Sequence, residues 1–160
     1  DVYVDSNIEE ECIGDLDCGS ENNKFKTITW ALQMIMPSEI NPVTLHLAIG
    51  TYSPETGETF PIIMMNYMNI EGDYLLGNDP ELPHLDAMQT NRVITMIGCL
   101  DNSISNVVVK NGYFGGEDLC NNDMSCLGGG MYLEYSSPTL YNVEFRDNYS
   151  IYILWSQKMN

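Results

Sequence analysis

The stretch Gly128–Asn148, GGGMYLEYSSPTLYNVEFRDN, decides the fold. It holds two short β-type runs, separated by a Ser-Ser-Pro break and followed by an Asp-Asn turn. The second run, NVEFRDN from Asn142, repeats the pattern NVVVKNG from Asn106 at an offset of 36 residues. Asparagine matches asparagine, valine matches valine and arginine matches lysine. We therefore interpret the two runs as equivalent strands of a repeat, not as the two halves of a hairpin.

The spacing of the runs favours a solenoid. An offset of 36 residues exceeds a β-solenoid coil of about 22 to 25 residues, and the excess is a Gly-rich acidic segment within 112–130. Upstream, MNIEG from Met68 precedes VITMIG from Val93 by 25 residues, and residues 79–91 between them are predicted to form another surface excursion. The linkers are long and carry no Asn-Gly hairpin turn, so a parallel β-helix is favoured over a β-sandwich.

One helix is predicted, over residues 25–37. Its apolar residues recur near a 3.6-residue period, and Pro37 ends the pattern. Because the open end of a β-helix exposes apolar side chains and unpaired strand edges, this helix is placed to act as a cap. The predicted fold is all-β, a right-handed parallel β-helix of about five short coils with an N-terminal α-helical cap. A single domain, 1–160, comprises an acidic loop (1–24), the capping helix (25–37) and the coils (43–160).

The chain end raises a separate expectation. Residues 151–160, IYILWSQKMN, fill only part of a coil. This pattern indicates either a truncated C-terminus or a partner that covers the last strands, including end-to-end self-association through the last coil.

The composition limits the kinds of molecule that the protein is expected to bind. The 160 residues carry a formal charge of -17, from 23 acidic and 6 basic residues. Phosphate backbones and anionic membrane surfaces repel such a protein, which disfavours nucleic-acid binding. No apolar run reaches the length of a membrane span, so no membrane insertion is expected. Hard cations, above all calcium, are favoured.

Four of the five cysteines form two local pairs, and Cys99 lies alone in an apolar run. The two pairs lie in polar, acidic segments, with spacings that do not match a zinc site. We expect two loop disulfides, an oxidising compartment and hence a secreted, extracellular or cell-surface protein. Free thiols in a cytosolic protein are the alternative. The paired residues are Cys12 with Cys18 and Cys120 with Cys126.

Several motifs together resemble a known family. VYVDSN near the N-terminus, FKTITWAL in the predicted helix and VTLHLAIGTY from Val43 occur in the order seen in secreted bacterial right-handed parallel β-helix domains of the pectate-lyase-like superfamily, in an uncharacterised branch. The stretch from Gly128 also resembles the Gly-Gly-Gly repeats of polymorphic outer-membrane proteins. The resemblance implies a secreted β-helix but no particular activity, because this fold hosts lyases, hydrolases, adhesins and inert modules.

The resemblance directs attention to basic residues, since lyases of this kind use a base, often with calcium. Lys110 and Arg146 share a register, so they are predicted to stack on one face of successive coils, as a binding strip or lyase base for an acidic sugar chain. The alternative, which we favour, is a solvated pair that balances neighbouring acids such as Glu144. Arg92 is the other basic residue of the body. A hydrolase would need clustered carboxylates, and only folding could bring Asp86, Asp101 and Glu144 together.

Among metal ions, calcium is the one that the sequence favours, and one segment is a candidate site for it. In DLDCGSE, Asp15, Asp17 and Glu21 alternate around Gly19, which lets a turning loop direct several oxygens at one point. The alternative is a solvated acidic loop held by the first cysteine pair.

Three functions remain open. We favour a non-catalytic extracellular module that binds a polysaccharide or a cell-surface partner, because no catalytic constellation and no cofactor motif is evident. A carbohydrate-active enzyme, either a polysaccharide lyase or a glycoside hydrolase, is the first alternative. A self-associating structural scaffold is the second.

Overall fold

The computed structural model describes residues 1–74, 81–115 and 127–151. Over these residues the chain forms one short α-helix and a succession of short β-strands. The helix α1 spans Ile28–Met34, and the strands are β1 (Val2–Val4), β2 (Val43–Leu47), β3 (Thr51–Tyr52), β4 (Ile62–Ile63), β5 (Met68–Gly72), β6 (His84–Asp86), β7 (Ile94–Ile97), β8 (Ser103–Lys110), β9 (Tyr113–Gly115), β10 (Met131–Glu134), β11 (Thr139–Arg146) and β12 (Tyr149–Ile151).

The described strand pairs are all parallel. The main sheet has the order β1-β2-β5-β8-β6-β3, with β11 added on β8, and two smaller sheets have the orders β10-β7-β4 and β12-β9. Strand β8 pairs with β5 through its first half and with β6 through its second half. This division makes the main sheet curl, in a solenoid-like arrangement.

The repeat identified in the sequence is confirmed. Strand β11 lies on β8 with Val143 opposite Val107 and Arg146 opposite Lys110. Strand β10 pairs with β7 instead of with β11. The two β-type runs of Gly128–Asn148 are therefore not a hairpin.

Asn106 and Asn142 occupy the bend within β8 and β11. Both have left-handed backbones, with φ values of 54° and 51°. Asparagine tolerates this conformation better than most residues, because its short polar side chain can hydrogen-bond locally. Gly72 is the residue of β5 that is aligned with Asn106, and a Cβ added to it would lie 2.0 Å from the carbonyl oxygen of Asn106. The corner is thus built from residue types that allow the backbone to turn and approach closely.

Inward-facing side chains stack into columns that form the core. Leu45, Ile70 and Ile104 are aligned across three successive strands, and each is fully buried. Leu85 and Val109 form part of a second buried column beyond the corner. Each fully buried large apolar side chain contributes about 1.5 to 3 kcal/mol to stability, so the columns supply the main driving force.

Two expectations about the middle of the chain are wrong. The runs from Met68 and Val93 are not in register, because β5 pairs with β2 and β8, whereas β7 pairs with β4 and β10. Consecutive strands of the chain can belong to different sheets, so two β-type runs that are neighbours in the sequence need not pair with each other. Residues 79–91 are not wholly a surface excursion either. They include β6, whose Leu85 is fully buried.

The helix is shorter than the predicted range of 25–37. Phe25 pairs with Val4 in a parallel bridge, so the chain is still extended there. Thr27 caps the helix by accepting a hydrogen bond from the backbone N–H of Trp30 at 3.1 Å. The chain becomes extended again at Ile35, two residues before the helix-breaking Pro37. Within the described ranges, no helix has the length and apolarity needed to cross a membrane.

Candidate functional site

Three surface features carry the candidate chemistry. The first is the N-terminal acidic cleft, of about 560 Å³, to which Asp15 and Glu21 both contribute. Asp17 does not line it, and its carboxylate accepts a hydrogen bond from the side-chain amide of Asn23 at 2.9 Å. The structure therefore brings together two of the three residues predicted to bind calcium. The cleft is lined by Asp5, Ile8, Glu10, Glu11, Cys12, Ile13, Asp15, Glu21, Asn22, Asn23 and Lys24.

The predicted disulfide between Cys12 and Cys18 is present, with a Cα–Cα distance of 5.6 Å. Their sulfurs lie near a carboxylate oxygen of Asp15. Because the sulfurs are bonded to each other, they are not thiolate ligands, and this cluster does not form a thiolate metal site. Cys99 is a buried free thiol, as expected. Cys120 and Cys126 lie outside the described residues.

Glu11 lines the cleft, but its carboxylate is already engaged. One oxygen accepts the backbone N–H of Lys26 at 2.7 Å, and the other accepts the N–H and hydroxyl of Thr27. Glu58, from beyond β3, accepts the backbone N–H groups of Ile28 and Thr29 in the same way. These two acids are structural anchors of α1.

The second feature is the charged strip on the outer face of β6, β8 and β11. The register places Asp86, Lys110 and Arg146 in one column, so the predicted stacking of the two basic residues is confirmed. Lys110 Nζ lies 3.2 Å from a carboxylate oxygen of Asp86. The Arg146 guanidinium makes two hydrogen bonds to the Glu144 carboxylate on its own strand. Each base is therefore paired with an acid.

Titration of the strip follows from these pairs. Burial alone would raise the pKa of Asp86, but hydrogen bonds from Asn111, Met88 and Lys110 outweigh burial and lower it. The hydrogen bond from Arg146 is the largest cause of the lowered pKa of Glu144. Both carboxyls are thus anionic at neutral pH, which is unsuited to a general acid. Asp101 does not join them, since it lies before β8, at the opposite end of that strand from Lys110.

Arg92, the other basic residue of the body, does not belong to the charged strip. It is buried, and its guanidinium carbon lies 3.6 Å from the ring centre of Phe114 and 4.5 Å from that of Tyr132. Its Nε donates to the carbonyl oxygen of Leu127 at 3.1 Å. Burial lowers the pKa of Arg92. Arg92 therefore stabilises the packing of β9 and β10 by cation–π contacts.

The third feature is the Tyr–Asn cleft, of about 460 Å³, lined by Tyr74, Asn106, Tyr141 and Asn142. The side-chain amide of Asn142 donates to the Oδ1 of Asn106 at 2.9 Å. Within the described part of the chain, the amide donors of Asn106 and the Oδ1 of Asn142 have no hydrogen-bond partner. Tyr74 and Tyr141 are 43% and 70% exposed. The cleft thus combines aromatic surface with amide donors and acceptors.

This cleft is not among the sites predicted from the sequence. Tyr74 follows the end of β5, whereas Tyr141 lies on β11, two strands along the sheet. The available signal was the register itself, since Asn142 matches Asn106 and Tyr141 immediately precedes Asn142. Tyr74 carried no comparable signal, because its position depends on the stacking of β5 under β8.

Parallel strands stacked in a curled sheet, with a disulfide in the N-terminal loop, define a solenoid-like β protein. The chain belongs to the family DUF1565, described as "protein of unknown function", whose model matches residues 13–156. This family is associated with β-helix proteins. No curated protein and no solved structure matches the chain.

Proposed function

We propose that this chain is a non-catalytic extracellular module that binds carbohydrate on the outer surface of a right-handed parallel β-helix. The observation that carries the proposal is the Tyr–Asn cleft. Exposed tyrosine rings offer flat apolar surface for the faces of sugar rings, and unpaired amide groups offer hydrogen bonds to hydroxyls. A concave site with a few polar groups suits a small ligand.

The β-helix is the closed form of the curled sheet. The parallel columns on both sides of the Asn106 corner, and the family's association with β-helix proteins, support it. Helix α1 would cap the first coil, since Ile28 and Ala31 are buried in the core formed with β1. Membership of the pectate-lyase-like superfamily belongs to the same proposal.

Export to an oxidising compartment is supported by the disulfide in the N-terminal loop. A lack of catalysis is supported by the charged strip. Lys110 is paired with Asp86 and is not free to act as a base, and the lowered pKa values of Asp86 and Glu144 disfavour proton donation. These pairings weigh against the alternative of a lyase or hydrolase.

The test is binding and turnover on one set of glycans. The protein is applied to immobilised oligosaccharides, and the same oligosaccharides are incubated with it in solution and analysed by chromatography. We expect retention on a subset of glycans, weakened by Tyr141→Ala, and no cleavage products. Tyr135→Ala, at an exposed tyrosine outside the cleft, is the matched control. Cleavage of any bound glycan would refute the non-catalytic assignment, and no retention would refute carbohydrate binding.

A second candidate, self-association, rests on the state of the last long strand. Leu140 and Phe145 on β11 are 42% and 46% exposed, whereas Ile104 and Val109, which they stack on, are fully buried. Within the described residues, no strand pairs with the other side of β11. Such an edge is suited to pairing with another chain.

Two edge strands of the main sheet, β1 and β11, differ in whether their outer side is already hydrogen-bonded. This difference decides between head-to-tail growth and a closed dimer. At the first strand, Tyr3 donates to the Gly19 carbonyl, and Phe25 donates to the Tyr3 carbonyl, so the free edge of β1 is occupied. Head-to-tail growth is therefore disfavoured, and a closed dimer of two β11 edges is favoured. In an antiparallel pairing centred on Phe145, Glu144 of one copy faces Arg146 of the other.

Sedimentation velocity over a range of protein concentrations tests this candidate. We expect a monomer–dimer equilibrium without larger species, shifted to monomer by Phe145→Lys but not by Tyr135→Lys. A monomer at every concentration would exclude the dimer, and a series of higher oligomers would exclude the closed arrangement.

A further inference from the structure

The Tyr–Asn cleft is uncharged, although the chain as a whole carries a formal charge of -17. Its lining consists of two phenols and two carboxamides, with no carboxylate and no basic side chain among them. A uronate or sulfate group bound there would find no lining cation, and it would lose hydration without an ion pair. The lining therefore favours a ligand without charge.

The surroundings add repulsion to this preference. One outward-facing column across β5, β8 and β11 contains Glu71, Ser105 and Tyr141. The Glu71 carboxylate therefore lies on the same face of the sheet as the Tyr141 ring. Asp73 immediately precedes Tyr74. A carboxylate two strands from Tyr141 and another beside Tyr74 in the sequence both disfavour an anionic ligand.

The basic residues of the charged strip do not compensate. Lys110 and Arg146 each follow a corner asparagine by four residues, a distance of about 13 Å along a strand. Both are paired, with Asp86 and Glu144 respectively. An acidic sugar held at the strip would thus be remote from the tyrosines.

The geometry of the polar groups matches hydroxyls. Asn106 offers amide N–H donors, and Asn142 offers an Oδ1 acceptor, after the hydrogen bond between the two side chains is made. A sugar hydroxyl both donates and accepts, so it can satisfy either group. The cleft extends across β5, β8 and β11, and the two outer strands are about 9.5 Å apart in the direction of strand stacking. A ligand that contacts both tyrosines must therefore be extended along that direction.

We propose, resting on carbohydrate binding as the proposed function, that the Tyr–Asn cleft binds an uncharged oligosaccharide. Its rings lie against Tyr74 and Tyr141, and its hydroxyls bond to Asn106 and Asn142. A cationic ligand such as a quaternary ammonium ion is less suited, since two rings at different levels of an open cleft do not enclose a compact ion.

The experiment compares matched probes. A methyl-esterified oligogalacturonide and the free acid of the same length share one backbone and differ in charge. They are titrated calorimetrically beside any neutral glycan retained in the immobilised set. We expect the strongest binding from a neutral oligosaccharide and, within the matched pair, tighter binding of the methyl ester than of the free acid. Choline is titrated as the cationic probe. We expect Tyr141→Ala to weaken neutral-glycan binding about tenfold.

Variants locate the site. Asn106→Gly and Asn142→Gly keep the left-handed backbone and remove the amides, so they should weaken neutral-glycan binding while the fold persists by circular dichroism. Tyr135→Ala should bind as the parent does. Preferential binding of acidic glycans, lost on Lys110→Gln, would overturn the inference but keep carbohydrate binding. Choline binding without any glycan binding would overturn both, as would no binding at all. Neutral-glycan binding unaffected by all the cleft variants would overturn the site.

Discussion

Glu11 and Glu58 accept hydrogen bonds at the same end of α1, although they are far apart in sequence. Glu11 accepts from Thr27, and Glu58 accepts from Ile28 and Thr29. The Thr27 hydroxyl accepts from Trp30, so the first four backbone N–H groups of the helix are all satisfied. The helix has only seven residues, too few to be stable alone. Its N-terminus depends on acids supplied by two loops.

The first prediction concerns Glu58. Replacing it by glutamine leaves one backbone donor facing an amide –NH₂, so Glu58→Gln should lower the free energy of unfolding at pH 7 by about 1 to 3 kcal/mol. Chemical denaturation monitored by circular dichroism measures the change. Glu55→Gln, at an exposed glutamate in the 3₁₀ turn Pro54–Thr56, should stay within about 0.5 kcal/mol of the parent. Equal effects at the two positions would contradict the anchoring role.

The same variant has a pH signature. Burial is the largest influence on Glu58 and raises its pKa, despite hydrogen bonds from Thr29 and Ile28 that lower it. A raised folded-state pKa gives stability that is complete below the unfolded value, about 4.3, and is lost as pH rises through the folded pKa. The advantage of the parent over Glu58→Gln should therefore be larger at pH 4 than at pH 7. An advantage that grows with pH would show that the hydrogen bonds dominate.

The second prediction concerns Asp86, whose pKa is shifted in the opposite direction. Its lowered pKa contributes stability above the unfolded value of about 3.9, and this contribution is lost as pH falls through the folded pKa. Asp86→Asn keeps an oxygen acceptor for Met88 and Asn111 but removes the ion pair with Lys110. We expect a cost of about 1 kcal/mol at pH 7 that shrinks as the pH falls below about 3.9 and is lost only below the folded pKa. A cost independent of pH would mean that the charge is not involved.

The third prediction concerns the left-handed corner at Asn142. Asn142→Ala should destabilise the protein by about 1 to 2 kcal/mol, because alanine pays the full cost of positive φ and loses the amide bond to Asn106. Asn142→Gly removes the same amide without the backbone cost. Thermal unfolding should rank the parent and the glycine variant above the alanine variant. An alanine variant as stable as the glycine variant would exclude backbone strain as the cause.

The fourth prediction concerns the disulfide. Cys12 and Cys18 close a short loop, with a sequence separation of 6, so the double serine variant should lose about 2 kcal/mol. Denaturation under non-reducing conditions measures this loss. In a reductant that opens disulfides the parent and the variant should become equally stable, while Cys99 stays unreactive towards thiol reagents because it is buried. Rapid labelling of Cys99 in the folded parent would contradict its buried position.

The fifth prediction addresses calcium, which stays a hypothesis of the sequence. Asp15 and Glu21 both line the N-terminal acidic cleft, whereas Asp17 does not line it and accepts a hydrogen bond from Asn23. If the cleft binds calcium, the melting temperature should rise with calcium concentration. The rise should vanish in the Asp15→Asn/Glu21→Gln double variant and persist in Asp17→Asn. A melting temperature insensitive to calcium would exclude the site.

The register of the late strands could be predicted because the repeat is local and chemically distinctive. Asn106 and Asn142 must turn in the same way, and the residues that follow them alternate in the same order. Strand β6 could not be predicted, since Leu85 is its one obvious apolar residue and lies between Pro, His and Asp. Its burial comes from pairing with β3 and β8, which its own composition does not encode.

The candidate site also has features that could be predicted from the sequence and others that could not. Stacking of Lys110 on Arg146 follows from the repeat, but the identity of their acid partners does not. Asp86 reaches Lys110 through the pairing of β6 with the second half of β8, which required knowledge of the corner. The helix anchors were equally hidden, because Glu11 and Glu58 lie outside the helix they stabilise.

Arg92 has a consequence for how this chain can vary. The residues that flank 116–126 on either side, near Phe114 and Leu127, both contact this one side chain. A chain segment whose two ends are held at a common point can change in length at little cost in free energy, since doubling the length of a flexible loop costs only about 0.6 kcal/mol. This position is therefore a natural place for the exchange of loops, in evolution or by design, with Arg92 kept constant.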